Sequence, residues 1–403
     1  MKATRITSCR LCGGKLHEVL RLTPTPPANA FVREDQLGVV QECYPLNVVL
    51  CVACGCAQLE HTLDPSELFS NYVYVSGTSK SFVEHFERAA ASLIERYGLQ
   101  RNDLVVDIGS NDGTGLKPYL KAGMRVHGFD PAESIAQTAR AAGIDTAAHF
   151  FTPELAQALI DARGKAQLVT ANNVFAHASD LASILKGVKS LLATDGAFVF
   201  EVQYVRDLLE CNLVDLVYHE HLYYHAVKPL QRFLERNGFA LVHVEHIATH
   251  GGSIRVHARP AWGGSGVDAS VGDLIREEDR RRLFSFTTWE TFGDKLMEER
   301  KRLLAELDRF EEIAAYGAPA KLTTLLYHFG LNDYPAYVVD DSPLKQGLYT
   351  PGRHIAVKPP DVLYADSPEC VLVTAWNFSR EIRRKCEPLL PRTHFVVPFE
   401  RNP

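Results

Sequence analysis

A chain of 403 residues, 46% hydrophobic and 23% charged, is too long for one ordinary core and asks for two large domains with room for a small third. Its formal charge of −6 gives no electrostatic reason to bind a polyanion such as DNA or RNA, and no stretch approaches the apolar run needed to cross a bilayer. The opening MKATRITSCRLC carries no apolar h-region, so the expected location is cytoplasmic, with neither membrane nor nucleic acid among the partners.

The nine cysteines are unevenly spread: Cys9, Cys12, Cys43, Cys51, Cys54 and Cys56 all fall near the amino terminus. A reducing compartment disfavours disulfides, so such a cluster suggests metal. CRLC at 9–12 and CVAC at 51–54 are two C-x-x-C pairs, each followed by glycine (Gly13, Gly55), as in the knuckles of a zinc ribbon. That spacing turns backbone N–H groups toward the sulfurs and predicts a closed, structural zinc site of Cys9, Cys12, Cys51 and Cys54, with Cys43 and Cys56 as bystanders. The long intervening segment, which includes TPTPP at 23–27, must carry extra structure. Without a dense Lys/Arg face, this amino-terminal zinc-binding domain, expected over 1–80, reads as a metal-stapled lid. LFSNYVYVSGTS at 68–79 suits a loop entering a cleft.

A second domain is expected over 81–262. SKSFVEHFERAAASLIERYG sets Phe82, Phe86, Ala89, Leu93, Ile94 and Tyr97 at helical spacing, with Ser79 or Ser81 to cap and Gly98 to stop the helix. LVVDIGSNDGTGLKPYL then reads as a buried strand over 104–108, a glycine-punctuated turn and a helix, and MRVHGFDP as a second strand ending in Asp130, placed to hydrogen-bond ribose hydroxyls. A dinucleotide site would want G-x-G-x-x-G and a pyrophosphate, which the carboxylates flanking this turn would repel. They suit S-adenosylmethionine, a sulfonium with an ammonium group and no phosphate. The loop closely resembles motif I of class I methyltransferases, which implies Asp107, Gly109 and Gly113 at the methionine end and Asp130 on the ribose, with Asn111 also among the cofactor-binding residues. Strands in AQLVTANNVFAH and AFVFEVQ follow, and FALVHVEHIA and SIRVHARP flank a turn containing His250, Gly251 and Gly252, the hairpin with which class I methyltransferases finish their sheet.

Between the fifth strand and that hairpin lies VYHEHLYYH, residues 217–225, with three histidines, three tyrosines and a glutamate. Its place is above the carboxyl ends of the strands, beside the expected donor. The alternative is an aromatic segment packed under the insertion, its polar atoms satisfied locally.

The remainder, 263–403, opens with a charged helical stretch over 276–310 and continues as a second α/β unit. IAAYGAPAKLTTLLYHFG reads as strand, glycine loop and helix, followed by strands in YPAYVVDDS and CVLVTAW. The loop from Gly317 to Lys321 ends at a helix start with Thr323 and Thr324 close by, so backbone N–H groups and Lys321 are candidates to hold phosphate.

Two C-x-x-C pairs, the DIGSNDG loop, Tyr-His-Glu-His at 218–221, His-Gly-Gly-Ser-x-Arg at 250–255, Tyr-Gly-Ala-x-Ala-Lys at 316–321 and Thr-Pro-Gly at 350–352 occur in that order. Together they resemble the sugar C-methyltransferases of deoxysugar biosynthesis, which methylate C-3 of a nucleotide-linked 4-keto-hexose. The resemblance runs through nearly the whole chain. It implies an α/β protein with a class I methyltransferase Rossmann-like domain, an N-terminal zinc-binding domain and a C-terminal second Rossmann-like domain. It also implies S-adenosylmethionine, structural zinc and a nucleotide sugar held between the last two domains, in a monomer or weak homo-oligomer.

The chemistry accounts for the crowded segment. A carbon–carbon bond to a sulfonium methyl needs a carbanion, and a sugar carbon is acidic enough only beside a ketone. A neutral histidine with a pKa near ~6.5 can take the proton, and tyrosine or a second imidazole can donate to the enolate oxygen. The resemblance points to His221 as the base, with Tyr218 and Glu220 beside it and Tyr72 and His177 as further sugar contacts. Spacing leaves open whether His219 or His221 faces the substrate, and Tyr223, Tyr224 and His225 read as packing groups. Rival readings are an O- or N-methyltransferase on another glycosylated or phosphorylated acceptor, and a zinc-ribbon module that senses S-adenosylmethionine without catalysis.

Overall fold

Between the two cysteine pairs the chain runs out and back as β1 (Leu16–Thr25) and β2 (Tyr44–Cys51), antiparallel with Leu16 opposite Cys51, and β3 (Ala57–Leu59) extends the sheet. This is the extra structure the long inter-knuckle segment has to carry. The computed structural model describes residues 2–69, 75–78, 80–261 and 266–399.

The helix α1 (Lys80–Tyr97) buries Phe86, Ala89, Ala90 and Leu93 on one face and stops at Gly98, whose φ of 60° leaves the right-handed helix. Next come β4 (Leu104–Ile108), β5 (Arg125–Phe129), β6 (Thr146–Ala147), β7 (Ala166–Asn172) and β8 (Leu192–Gln203). Every residue of β4 is buried, as a strand covered on both faces of a parallel sheet must be. Beyond β8 lie β9 (Tyr223–Tyr224), α2 (Val227–Arg236) and the hairpin β10 (Phe239–Ile247) and β11 (Ser253–Pro260). The large sheet has the order β10-β11-β8-β7-β4-β5-β6, parallel from β8 to β6, with the hairpin joined antiparallel. From β4 the chain winds one way through β5 and β6, then crosses back to β7 on the other side. The crevice at that reversal, outside the carboxyl ends of the strands, is where open α/β sheets bind ligands.

The strand β9 does not join this sheet. Tyr223 lies opposite Gln58 and Tyr224 opposite Ala57, so the segment after His221 supplies the fourth strand of the amino-terminal sheet, in the order β9-β3-β2-β1.

The charged stretch forms two helices, α3 (Ala269–Arg280) and α4 (Phe286–Leu307), with Arg282 at a left-handed φ of 55° between them. The fully buried Glu278 of α3 accepts from Tyr204 Oη (3.0 Å) and from the N–H groups of Val227 (2.6 Å) and Lys228 (3.0 Å), capping α2. Burial pushes its pKa up to about 7. The last unit is a parallel sheet of β12 (Ile313–Tyr316), β13 (Val338–Val339), β14 (Val357–Lys358), β15 (Cys370–Val373) and β16 (His394–Val396), in the order β14-β13-β12-β15-β16. The helix α5 (Lys321–Phe329) follows β12 and packs against β1. Val32 bridges Tyr349, and the Gly352 N–H donates to Gln41 Oε1 (2.6 Å), so Thr-Pro-Gly at 350–352 clasps the amino-terminal region. Among the described residues no helix is long and apolar enough to cross a membrane.

Candidate active site

The two C-x-x-C turns bring four sulfurs together. Gly13 and Gly55 take positive φ (71° and 82°), which lets each knuckle fold back so that the Gly13 N–H donates to the Cys9 carbonyl and the Gly55 N–H to that of Cys51. The Gly14 N–H points at Cys12 Sγ (3.3 Å), and Gln58 Nε2 at Cys9 Sγ (3.1 Å). Cys9 Sγ is 3.7 Å from Cys54 Sγ and Cys12 Sγ 3.4 Å from Cys51 Sγ, with all four within 4.8 Å of one another. Four Zn–S bonds of ~2.3 Å at tetrahedral angles separate sulfurs by ~3.8 Å, so Cys9, Cys12, Cys51 and Cys54 fit zinc.

In the crevice of the large sheet, Gly109 has φ 70°, and a Cβ there would run into Val174; at Gly113, φ 76°, a Cβ would meet Ile144. These glycines let the turn close over the end of β4. Asn111 is also left-handed (φ 51°). Its N–H donates to Asp130 Oδ2 (3.0 Å) and the Ala132 N–H to Asp130 Oδ1 (3.0 Å), which fixes the carboxylate at the end of β5 with a lone pair left on each oxygen. Asp107 accepts from Thr170 Oγ1 (2.6 Å); burial, aided by the charges of Asp130 and Glu201, raises its pKa to about 7. Burial also pushes Glu201 upward, but His85 (2.8 Å) and Arg255 (2.8 Å) outweigh it and hold the carboxylate below its usual range. Carboxylates gathered at adjacent strand ends favour a cationic ligand over a phosphate. The turn at 76–78 reaches this loop, the Ser76 N–H donating to Asn111 Oδ1 (2.9 Å).

The histidine-rich segment divides. His221 lines the main cavity, with Nδ1 2.7 Å from the Leu216 carbonyl, an acceptor that requires the proton on Nδ1 and leaves the lone pair on Nε2. Gln203 Nε2 approaches that lone pair at 3.3 Å. Burial, then the neighbouring His177, puts the His221 pKa well below 6.5, so the ring is neutral. The rings of Tyr218 and His177 lie 4.0 and 5.0 Å from that of His221, centre to centre, and both residues line the cavity. His219 turns the other way, donating from Nε2 to the Tyr44 carbonyl (3.3 Å) outside the cavity lining. Glu220 is buried and accepts from Asn29 Nδ2 (2.7 Å), which ties the segment to the amino-terminal region. Tyr72 lies outside the described residues.

On the opposite wall, Lys321 Nζ is 3.2 Å from the buried Asp215 carboxylate and 4.6 Å from the Trp376 ring centre, and Trp376 Nε1 donates to the same Asp215. At the start of the predicted phosphate loop the Gly317 N–H donates to the Val339 carbonyl (2.7 Å) and the Ala318 N–H to Asp340 Oδ2 (2.6 Å). Thr323 Oγ1 donates to the Ala28 carbonyl (3.3 Å) and Thr324 Oγ1 to that of Val217 (2.7 Å). Both threonines are buried and outside the cavity lining, because the first turn of α5 points them at neighbouring backbone. Asn29, Gln203, Asp215 and Trp376 were not expected at the site. Trp376 follows the parallel strand β15 at its carboxyl end, a position the ligand rule for open sheets marks; nothing in the spacing points to Asp215.

A single cavity of 1370 Å³ joins these parts, lined by Asp107, Gly109, Asn111 and Asp130 at one end, by His177, Tyr218 and His221 in the middle and by Lys321, Lys345 and Trp376 opposite. Typical single-ligand pockets hold ~300–1,000 Å³, so there is room for two ligands. Ser110 Oγ, Asn173 Oδ1, His177 Nε2 and Thr249 Oγ1 belong to lining residues, are buried and make no hydrogen bond among the described residues. Such atoms are costly unless a ligand meets them, so the donor set fits polar guests.

Three family profiles match: a zinc binding domain over residues 9–69, a methyltransferase domain over 82–244 and a C-methyltransferase C-terminal domain over 248–399. The C-methyltransferase NovU of Streptomyces niveus is 34% identical over 402 residues, 98% of this chain and 96% of that protein. Among solved structures, the magnesium protoporphyrin IX methyltransferase of Synechocystis is 20% identical, with a TM-score of 0.35 over 44% of this chain and 81% of its own. A SAM-dependent methyltransferase of Anabaena variabilis is 17% identical, with a TM-score of 0.35 over 43% and 84%.

Proposed function

The chain belongs to the S-adenosylmethionine-dependent C-methyltransferases with an amino-terminal zinc-binding domain, and from that premise we propose that it methylates C-3 of a nucleotide-linked 4-keto-deoxysugar through an enolate, with His221 as the base. The observation that carries this reading is a neutral imidazole of fixed tautomer, His221, in the same cavity as the donor loop. Bound S-adenosylmethionine supplies an electrophilic methyl group. Asp107, Gly109, Asn111, Gly113 and Asp130 would hold it, Asp130 by accepting from the two ribose hydroxyls.

His221 Nε2 takes the proton from the carbon beside the ketone, and the electron pair moves onto the carbonyl oxygen as the enolate forms. The Leu216 carbonyl, accepting from Nδ1–H, supports the imidazolium. The imidazolium and the enolate arise side by side where His221 is buried, and each offsets the other's charge. Tyr218 and His177 are the nearest groups for donation to the enolate oxygen, worth ~3–4 kcal/mol per donor in other enzymes. The enolate carbon would then take the methyl group as the donor's sulfur–methyl bond breaks, which restores the ketone and leaves S-adenosylhomocysteine, while His221 returns its proton to solvent. Lys321, braced by Asp215 and Trp376, supplies positive charge for the diphosphate.

The test is to offer a panel of nucleotide-linked 4-keto sugars with the donor and locate the new methyl by NMR. A product methylated on oxygen or nitrogen, or turnover of a sugar lacking the ketone, overturns the proposal.

Asp130→Ala should weaken donor binding by at least ~10-fold, because it removes two hydrogen bonds to a charged acceptor. Asp130→Asn, which keeps one carbonyl oxygen, should lose less. Calorimetry with S-adenosylhomocysteine reads both, and unchanged affinity in the alanine variant would leave Asp130 only its backbone role.

A further inference from the structure

Away from the cavity, the terminal hairpin gathers a second set of ligand-type side chains. His243 lies opposite His257 and Glu245 opposite Arg255 across β10 and β11, so the four share one face of the hairpin. His257 Nε2 is 3.0 Å and His243 Nε2 3.7 Å from the same oxygen, Glu245 Oε1, and the three ligand atoms lie within 4.8 Å of one another. Metal bonds of ~2.0–2.1 Å at tetrahedral angles separate donor atoms by ~3.3 Å, so little movement is needed to close on one ion.

The far nitrogens of both rings are held by oxygens from separate helices. His243 Nδ1 is 3.0 Å from Ser270 Oγ and 3.2 Å from Asp268 Oδ1, where α3 begins. His257 Nδ1 is 2.8 Å from Tyr97 Oη, where α1 ends. Metal-binding imidazoles are oriented in this way, the second nitrogen engaged by a carboxylate, hydroxyl or carbonyl so that the first presents its lone pair. Arg255 Nη1 takes the other Glu245 oxygen (2.9 Å), which leaves Oε1 for a single bond. The His257 side chain is fully buried while that of Glu245 is 30% exposed, so solvent reaches the cluster from the Glu245 side.

We propose that His243, Glu245 and His257 form a second metal site, distinct from the four-cysteine site, for a divalent ion that prefers nitrogen ligands, such as Zn²⁺, Co²⁺ or Ni²⁺. Two imidazoles and one carboxylate select against Mg²⁺ and Ca²⁺, which take oxygen shells. Water fills the remaining positions. The bound ion pins the sheet edge to α1 and α3 through the outer contacts of the two rings.

The test is titration of the full chain, its cysteines already zinc-loaded, with Co²⁺. The expected result is one further equivalent whose visible d–d bands lack thiolate-to-cobalt charge transfer. An excess of Mg²⁺ should leave it in place, and His243→Gln and Glu245→Gln should each weaken it by ~10-fold or more. Both substitutions fall on partly exposed side chains, and circular dichroism checks that the variants fold. Electron paramagnetic resonance of Cu²⁺ on the wild-type chain gives a reading independent of any variant, with coupling to two nitrogens expected. Absence of a second equivalent, displacement by Mg²⁺, indifference to both substitutions or a copper spectrum without nitrogen coupling would each overturn the site.

Discussion

His221→Asn should lower turnover by ~10²–10⁴ while leaving the affinity for S-adenosylhomocysteine within a few-fold of wild type. Asparagine can still donate from its side-chain amide toward the Leu216 carbonyl, the acceptor now used by Nδ1. What it lacks is the basic lone pair. Tyr218→Phe should cost less, because removing one hydroxyl leaves His177 beside the same ring. The decisive measurement separates deprotonation from methyl transfer. With substrate deuterated at the reacting carbon and S-adenosylhomocysteine bound, the wild-type chain should exchange that deuteron with solvent and His221→Asn should not. Exchange at the wild-type rate in the variant would transfer the role to His177, the next imidazole in the cavity.

The same assignment fixes a pH dependence. Burial puts the His221 pKa below the ordinary 6.5, and His177 and His250 are pushed to about 4, also first by burial. The active base is the neutral form, which persists as pH falls until the lowered pKa is reached. The acid limb of the kcat/KM profile should therefore lie below pH 6.5, with a plateau through neutrality. A limb at or above 6.5 would rule out the buried His221 as its source and point to another group, such as Asp107.

The parts of this site that depend on local geometry were legible in the residues. A glycine forced to positive φ after each C-x-x-C, and the glycines of DIGSNDG closing over a fully buried strand, act within a few positions of one another. Residue types at the right spacing are enough to recognise them. The orientation of the histidines was not legible, because VYHEHLYYH has no helical or strand period up to His221. Tyr44, from a distant strand, draws His219 away, and the nearby Leu216 carbonyl fixes His221. Lys321 was readable as a cation at a helix start. Its setting was not, since Asp215 and Trp376 reach it only through tertiary folding. Thr323 shows the reverse case: a residue type suited to phosphate, next to a suitable loop, whose hydroxyl the first turn of α5 aims at the Ala28 carbonyl.

Zinc removal should abolish most of the turnover even though the four cysteines lie outside the cavity lining. The link is β9. Cys51 ends β2, Cys54 and Cys56 lead directly into β3, and β3 pairs with Tyr223 and Tyr224, two positions beyond His221. The Leu59 N–H also donates to the Leu222 carbonyl (3.0 Å), so the strand that follows the second knuckle holds the base-bearing segment by its backbone. Structural zinc in isolated fingers contributes ~10–16 kcal/mol of apparent binding energy to folding, and here the two knuckles flank the ends of β1, β2 and β3. Cys51→Ser, or chelation of the wild-type chain, should therefore release one zinc per chain and lower turnover by ~10-fold or more, with activity returning when zinc is restored to the chelated protein. Donor binding should survive, because Asp130 and the glycine loop are held by the large sheet and its own backbone. That split, with the donor bound and the base misplaced, marks the metal as a support for the catalytic segment. Full turnover in a zinc-free chain would show that β9 keeps His221 in place unaided, and a matching loss of donor affinity would point to general unfolding.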